Sequence, residues 1–199
     1  MNQKKWDYNP VGNRNDRVCR MLLSKELLSD NITHVIDVAD DSYFWKEDID
    51  LICVTKQEKN RFITVELKAD GYKPDNNGKK YIFCETVANS NKYLMSSGRD
   101  GIGNLFITKS DFMVYYFVHT DTYLVVDTKE LQEFVRRNMK KYTVKSANTY
   151  GYGGNILFTS YGLLVPIDDI LQSLNSKLIT SRYRFDDFLG LEEDAKKTE

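Results

Sequence analysis

Two short stretches, Asp50-Leu-Ile-Cys-Val-Thr55 and Arg61-Phe-Ile-Thr-Val-Glu-Leu-Lys68, decide the fold that the sequence predicts. Both are apolar and rich in β-branched residues, which favour strands. The run between them, residues 56–60, is polar and has no apolar anchor, as expected of the turn in an antiparallel hairpin. We therefore expect two paired strands, 49–55 and 61–68, at the centre of a sheet.

The charged residues of this hairpin are expected to meet on one face. Side chains on a strand alternate between faces, so Glu66 and Lys68 share one. A hairpin symmetric about Glu58 places Asp50 opposite Glu66, with Cβ atoms roughly 4.5–5.5 Å apart, and Asp48 opposite Lys68. Two carboxylates this close repel each other, and a bound divalent cation would remove that cost. The alternative is an ordinary hairpin face in contact with solvent.

The motif Asp50…Glu66-Leu67-Lys68 resembles the core of the PD-(D/E)xK nuclease superfamily, which includes restriction enzymes, Holliday-junction resolvases and phage recombination exonucleases. The resemblance covers roughly residues 12–119 and implies a restriction-endonuclease-like fold that uses Mg²⁺, with Mn²⁺ able to substitute. It implies that Asp50 and Glu66 bind the metal and that Lys68 orients or activates the attacking water. The proline that names the superfamily is absent before Asp50, where Ile49 stands, as it is in many members.

Four further residues are candidates for the same site. The resemblance implies an acid on the first helix, for which Asp16 is the matching residue. It also implies a polar and an aromatic residue after the third core strand, which match Asn89 and Tyr93. Glu85 lies on the next predicted strand and would add a carboxylate if that strand pairs beside the second hairpin strand; it could equally face solvent.

Two basic regions suit contact with a phosphate backbone. The loop 69–80 leaves the end of the second hairpin strand and contains Lys73 among three lysines. The predicted helix 128–139 runs into the best basic cluster of the chain, followed by a Tyr- and Gly-rich segment suited to base stacking. The members of this cluster are Arg136, Arg137, Lys140 and Lys141. The alternatives are a solvated loop and a helix end whose cations complement the macrodipole.

Composition limits the remaining possibilities. The 199 residues, 41% of them hydrophobic, suffice for one domain, predicted over 1–190 with a disordered tail at 191–199. The net charge of −1 argues against general coating of nucleic acid. The three cysteines and two histidines show no zinc-ligand spacing. Because no apolar run reaches the roughly 18 residues of a membrane span, we expect a cytoplasmic protein without membrane association.

The sequence as a whole predicts a single α/β domain, a mixed sheet of about five to seven strands flanked by helices. The predicted activity is Mg²⁺-dependent hydrolysis of phosphodiester bonds in DNA, as an endonuclease or exonuclease. A homodimer would suit the cutting of both strands of a duplex. Two alternatives stay open: a non-catalytic DNA- or protein-binding module on a nuclease-like fold, and a phage-borne β-rich interaction protein.

Overall fold

Strands and helices alternate along most of the chain. A computed structural model describes residues 10–56, 61–71, 78, 81–88, 102–150 and 155–189. Within these residues the strands are β1 (Ile32–Asp37), β2 (Leu51–Thr55), β3 (Phe62–Asp70), β4 (Tyr81–Val87), β5 (Phe112–Phe117), β6 (Thr122–Asp127), β7 (Thr143–Tyr150), β8 (Ile156–Pro166) and β9 (Ser176–Thr180). The helices are α1 (Pro10–Glu26), α2 (Ser42–Lys46), α3 (Asn104–Ile107), α4 (Thr128–Asn138) and α5 (Ile167–Ser173), and a further helical segment covers 185–189. The predicted tail lies outside the described residues.

Six strands form the main sheet, in the order β1-β2-β3-β5-β6-β9. β3 and β5 are parallel, whereas the other neighbours are antiparallel, so the sheet is mixed. The hairpin β2–β3 lies inside the sheet, and Leu51 stands opposite Val65, as the symmetric register requires. The predicted α/β architecture, a mixed sheet flanked by helices, is confirmed.

Each face of the main sheet carries its own hydrophobic core. One core packs α1 and the segment 185–189 against the hairpin, and includes Leu22 and Leu67. The other contains residues from β5, β6, α4, α5 and a second sheet, including Leu131 and Leu163. Helices on the first face and helices plus strands on the second therefore enclose the main sheet. In the described part of the chain, no helix has the length and apolar character needed to span a membrane.

The second sheet has three strands in the order β4-β8-β7, and no pattern in the sequence predicted this sheet. β4 was considered as a neighbour of the strand that bears Glu66, and this pairing is wrong because β4 pairs with β8. The two strands lie far apart in sequence, so no local pattern marks their pairing.

Candidate active site at the end of the central hairpin

Strand β3 extends past the start of β2. β3 has nine residues and β2 five, so the C-terminal half of β3 has no strand on that side among the described residues. In this half of β3, two carboxylates accept hydrogen bonds from backbone N–H groups that have no neighbouring strand in the described part of the chain. Leu67 N–H donates to Asp50 Oδ2 at 2.9 Å, and Ala69 N–H donates to Asp16 Oδ1 at 3.3 Å. The unpaired edge of β3 thus holds two acids side by side.

Asp16 reaches this edge from α1, as the resemblance implied. The helix packs on the hairpin through Val18 and Leu22, which have no exposed surface. Burial, the largest effect, raises the pKa of Asp16 above its ordinary value of 3.8. The Asp50 carboxylate raises this pKa further, while the Lys68 ammonium lowers it. Asp16, Asp50 and Lys68 are therefore close enough to influence one another's charge.

Glu66 and Lys68 form an ion pair on the opposite face from Val65 and Leu67. Glu66 is 3% exposed, and burial raises its pKa well above the ordinary value. The Asp50 carboxylate adds to this rise, while Lys68 opposes it. Although burial disfavours the ammonium, the surrounding acids, with Glu66 first, raise the pKa of Lys68 well above its ordinary value. Lys68 is therefore a cation at neutral pH.

Asp48 is a further acid of the site, and it lies near Lys68 as the symmetric hairpin register predicts, although it is in the turn after α2 and not on a strand. It follows the end of α2 with φ of 55°, a left-handed conformation that Asp tolerates better than most residues. Its carbonyl accepts a hydrogen bond from the hydroxyl of Thr108 at 2.8 Å. The Asp48 charge raises the pKa of both Glu66 and Lys68, which places this acid beside the ion pair.

Glu85 approaches the site from the second sheet. Burial raises its pKa, and the Lys68 ammonium lowers it, so Glu85 lies within electrostatic range of Lys68. A β-carbon at Gly103 would stand 2.3 Å from the Glu85 carbonyl oxygen, so only glycine allows the chain to cross β4 here. Glu85 is thus near the predicted site, although its strand is not beside β3.

The other predicted residues fall into two groups. Asn89, Tyr93 and Lys73 lie outside the described residues. The basic cluster lies at and beyond the end of α4, and three of its members are engaged within the fold. Their partners are the Phe106 ring for Arg136, at 4.8 Å, Glu133 for Arg137, at 2.5 Å, and Asp169 for Lys141, at 2.7 Å. Lys140 is exposed.

The donor atoms suit Mg²⁺ in kind, because they are carboxylate oxygens without His or Cys. The raised pKa values of Asp16 and Glu66 reflect burial and crowded negative charge, which a cation would offset. Across the described ranges, however, no three acidic, His or Cys side chains form a metal-binding cluster. Glu66 is paired with Lys68, and Asp50 accepts a backbone N–H. Binding a metal here would require these side chains to turn toward one another.

The comparisons with known proteins supply no relative from which a role could be transferred. The chain matches none of the protein-family models, curated proteins or solved structures with which it was compared. The assignment of roles therefore depends on the geometry of the site itself: the unpaired edge of β3, the ion pair, and the acids that surround it.

Proposed function

We propose that the chain is a metal-dependent deoxyribonuclease on a restriction-endonuclease-like fold, which hydrolyses phosphodiester bonds in DNA. The observation that supports this proposal is the convergence of Asp16, Asp50 and Glu66 around the Lys68 ammonium at the end of the hairpin. Carboxylates beside a retained ammonium suit a reaction in which negative charge increases on a phosphate group.

Asp50 and Glu66 would hold Mg²⁺ or Mn²⁺, with Asp16 and Glu85 as additional carboxylates. When bound, the metal would supply Lewis-acid stabilisation of the charge on the phosphate oxygens. Lys68 remains protonated, so it acts as a hydrogen-bond donor and a positive charge and does not remove a proton. It would orient the water that attacks phosphorus and stabilise the charge that develops there.

A second candidate function is DNA binding without cleavage. It is favoured by the ion pair of Glu66 and Lys68, and by the lack of a metal-binding cluster in the parts of the chain that the structure describes. A domain of this kind would keep its fold and its basic surface but would gain no stability from Mg²⁺. The two candidates therefore differ in cleavage and in their response to metal.

Cleavage of linear duplex, single-stranded and four-way-junction DNA in Mg²⁺ or Mn²⁺ tests the proposal. Lys68→Ala is expected to lower the rate at least about 100-fold, since it removes the ammonium beside Glu66 and Asp50. Lys25→Ala is the control, because Lys25 is exposed and lies over the Phe188 ring, at 5.0 Å, near the far end of α1. A folded parent protein that cuts none of these substrates would contradict the proposal and favour DNA binding alone.

A further inference from the structure

One long segment in the second half of the chain carries cations and no acids. No Asp or Glu lies between Glu133 and Asp168, although 29 of the 199 residues are acidic. The segment covers the end of α4 and the strands β7 and β8. Its basic residues are Arg136, Arg137, Lys140, Lys141 and Lys145. In a chain of net charge −1, this region has the sign that a phosphate backbone requires.

β7 and part of β8 extend beyond the rest of the second sheet. β8 pairs with β4 only from Tyr161 to Pro166, whereas its pairing with β7 continues to Ile156. Residues 156–161 of β8 together with residues 146–150 of β7 are called the arm. β7 is exposed on both of its faces, at Thr143, Val144, Lys145, Ser146 and Asn148. A strand exposed in this way contributes little to a core and is available for contact with a partner.

The arm starts next to the candidate active site. At its base β8 pairs with β4, where Gly162 stands opposite Glu85. Glu85 lies within electrostatic range of Lys68. The hydroxyl of Thr86 donates to the carbonyl of Tyr161 at 3.3 Å, which ties the arm to the end of β4. A nucleic acid whose phosphate reaches Lys68 would therefore pass alongside the arm.

We propose that the arm lies in the major groove of duplex DNA beside the bond that is cut, an inference that rests on the proposed function. Paired strands are about 4.8 Å apart, and the major groove, about 12 Å wide, admits a two-stranded ribbon. Within the arm, Asn148 stands opposite Thr159, whose hydroxyl donates to the Asn148 amide oxygen at 2.9 Å. Lys145 stands opposite Gly162, at the base of the arm, where β4 adds a third strand. The arm thus offers polar side chains to base edges, and its base offers a cation to phosphate.

Lys145 is the cation on which the proposal depends most. Unlike Arg137 and Lys141, it forms no ion pair within the described part of the chain. A lysine on an outer strand also has a purely protective explanation, since it discourages pairing with the edge of another sheet. Lys177 on β9, the outer strand of the main sheet, has the same residue type and exposure. It therefore serves as a matched control.

The experiment compares Lys145→Glu with Lys177→Glu in the full chain. Binding of a fluorescent DNA duplex of mixed sequence is measured over a range of salt concentrations, in EDTA and in Ca²⁺. Lys145→Glu is expected to lower the affinity roughly tenfold and to reduce the salt dependence by about one phosphate contact. Lys177→Glu is expected to leave both unchanged. Lys145→Gln removes the charge but keeps a side chain of similar length, and it should also lower the affinity. This variant tests the proposal even if Lys145→Glu does not fold.

Several results would overturn the arm proposal: no duplex binding by the parent, an equal effect of the two charge reversals, or an equal loss for a single strand, which has no groove. These measurements distinguish failure of the arm proposal from failure of the proposed nuclease activity. Lys145-dependent duplex binding without cutting would support the arm and contradict the nuclease. Duplex cutting with affinity and rate unchanged by Lys145→Glu would support the nuclease and overturn the arm.

Discussion

Two glutamates are buried among the described residues, Glu26 and Glu66, and the protein surrounds them in opposite ways. Glu26, at the end of α1, accepts hydrogen bonds from the Ser181 hydroxyl at 3.2 Å, the Arg182 backbone N–H at 3.0 Å and the Arg182 guanidinium at 3.1 Å. Glu66 has the Lys68 ammonium, and its other charged neighbours include the acids Asp48 and Asp50.

This difference separates a structural carboxylate from a candidate functional one. Glu26 ties the chain around Arg182 to α1, and its donors compensate for the loss of water. Glu66 is buried among like charges, an arrangement that costs stability and that proteins commonly keep where chemistry requires it. The contrast identifies Glu66, and not burial of a glutamate in general, as the centre of the candidate site.

The largest expected effect is a difference in DNA cleavage between the same substitution at Glu66 and at Glu26. Glu66→Gln should lower DNA cleavage about 1000-fold, because it removes a carboxylate that the proposed metal and Lys68 both require. Glu26→Gln should retain the parent's rate per folded molecule. Cleavage of a labelled duplex in Mn²⁺, at a temperature well below the melting point of every variant, measures the difference. Equal losses at the two positions would refute the distinction.

The free energy of unfolding should change in the opposite order, with the larger loss at Glu26. This measurement is the control for the comparison of cleavage rates. Glu26→Gln is expected to lower the free energy of unfolding by about 2 kcal/mol, since it weakens charge-assisted bonds to a buried carboxylate. We expect no larger loss, because the Arg182 side chain is 61% exposed and solvent screens its charge. Glu66→Gln should have the smaller effect in urea denaturation, because Asp48 and Asp50 still face Lys68.

The hairpin part of this site could be predicted because its two strands are adjacent in sequence. Period-two alternation assigned Glu66 and Lys68 to one face, and their ion pair confirms it. The short polar connection favoured the symmetric register, which the pairing of Leu51 with Val65 confirms. Asp50 consequently stands level with Glu66. Neighbouring strands leave a readable local pattern, since the turn and the alternation together determine which residues meet.

The remaining parts of the site depend on contacts that leave no such pattern. Glu85 reaches Lys68 through a pairing of β4 with β8, two strands far apart along the chain. Asp48 lies near Lys68, as the symmetric register predicted, but for its left-handed conformation in the turn after α2 the sequence signal is only that Asp tolerates this conformation. β7 was not predicted because it is exposed on both faces, so polar and apolar residues do not alternate along it.

Stabilisation by Mg²⁺ should also distinguish Glu66 from Glu26, with a smaller effect. At ten times its dissociation constant, Mg²⁺ is expected to stabilise the parent by about 1.4 kcal/mol, because it binds the folded chain alone. For a chain of this size, that corresponds to a rise in Tm of about 3–6 °C. Glu26→Gln should show the same rise, whereas Glu66→Gln and Asp50→Asn should show none. A rise in all variants would indicate binding outside the site, and no rise in the parent would contradict it.

The smallest expected effect concerns Asp16, whose buried carboxylate lowers the stability of the folded chain even when no metal is bound. Because burial raises its pKa, Asp16→Asn should increase Tm at neutral pH by a few degrees, while the amide oxygen still accepts the Ala69 N–H. Asp111→Asn is the matched control, since Asp111 accepts the N–H of Thr64 on the same strand at 2.8 Å but is exposed. It should produce no comparable gain.

The pH dependence of this gain reveals its cause. Above the folded-state pKa, Asp16 is ionised in both the folded and the unfolded chain, so the full cost of burying the charge is present. As the pH falls through that pKa, the folded chain binds a proton first and the cost decreases, until both states are protonated below the ordinary value of 3.8. The gain in Tm should therefore shrink on acidification. A gain that is independent of pH would mean that Asn improves packing or hydrogen bonding, and that Asp16 is not held in an unfavourable charged state. Addition of Mg²⁺ at neutral pH should also narrow the gap, because the parent keeps the carboxylate that the metal would use and the variant does not.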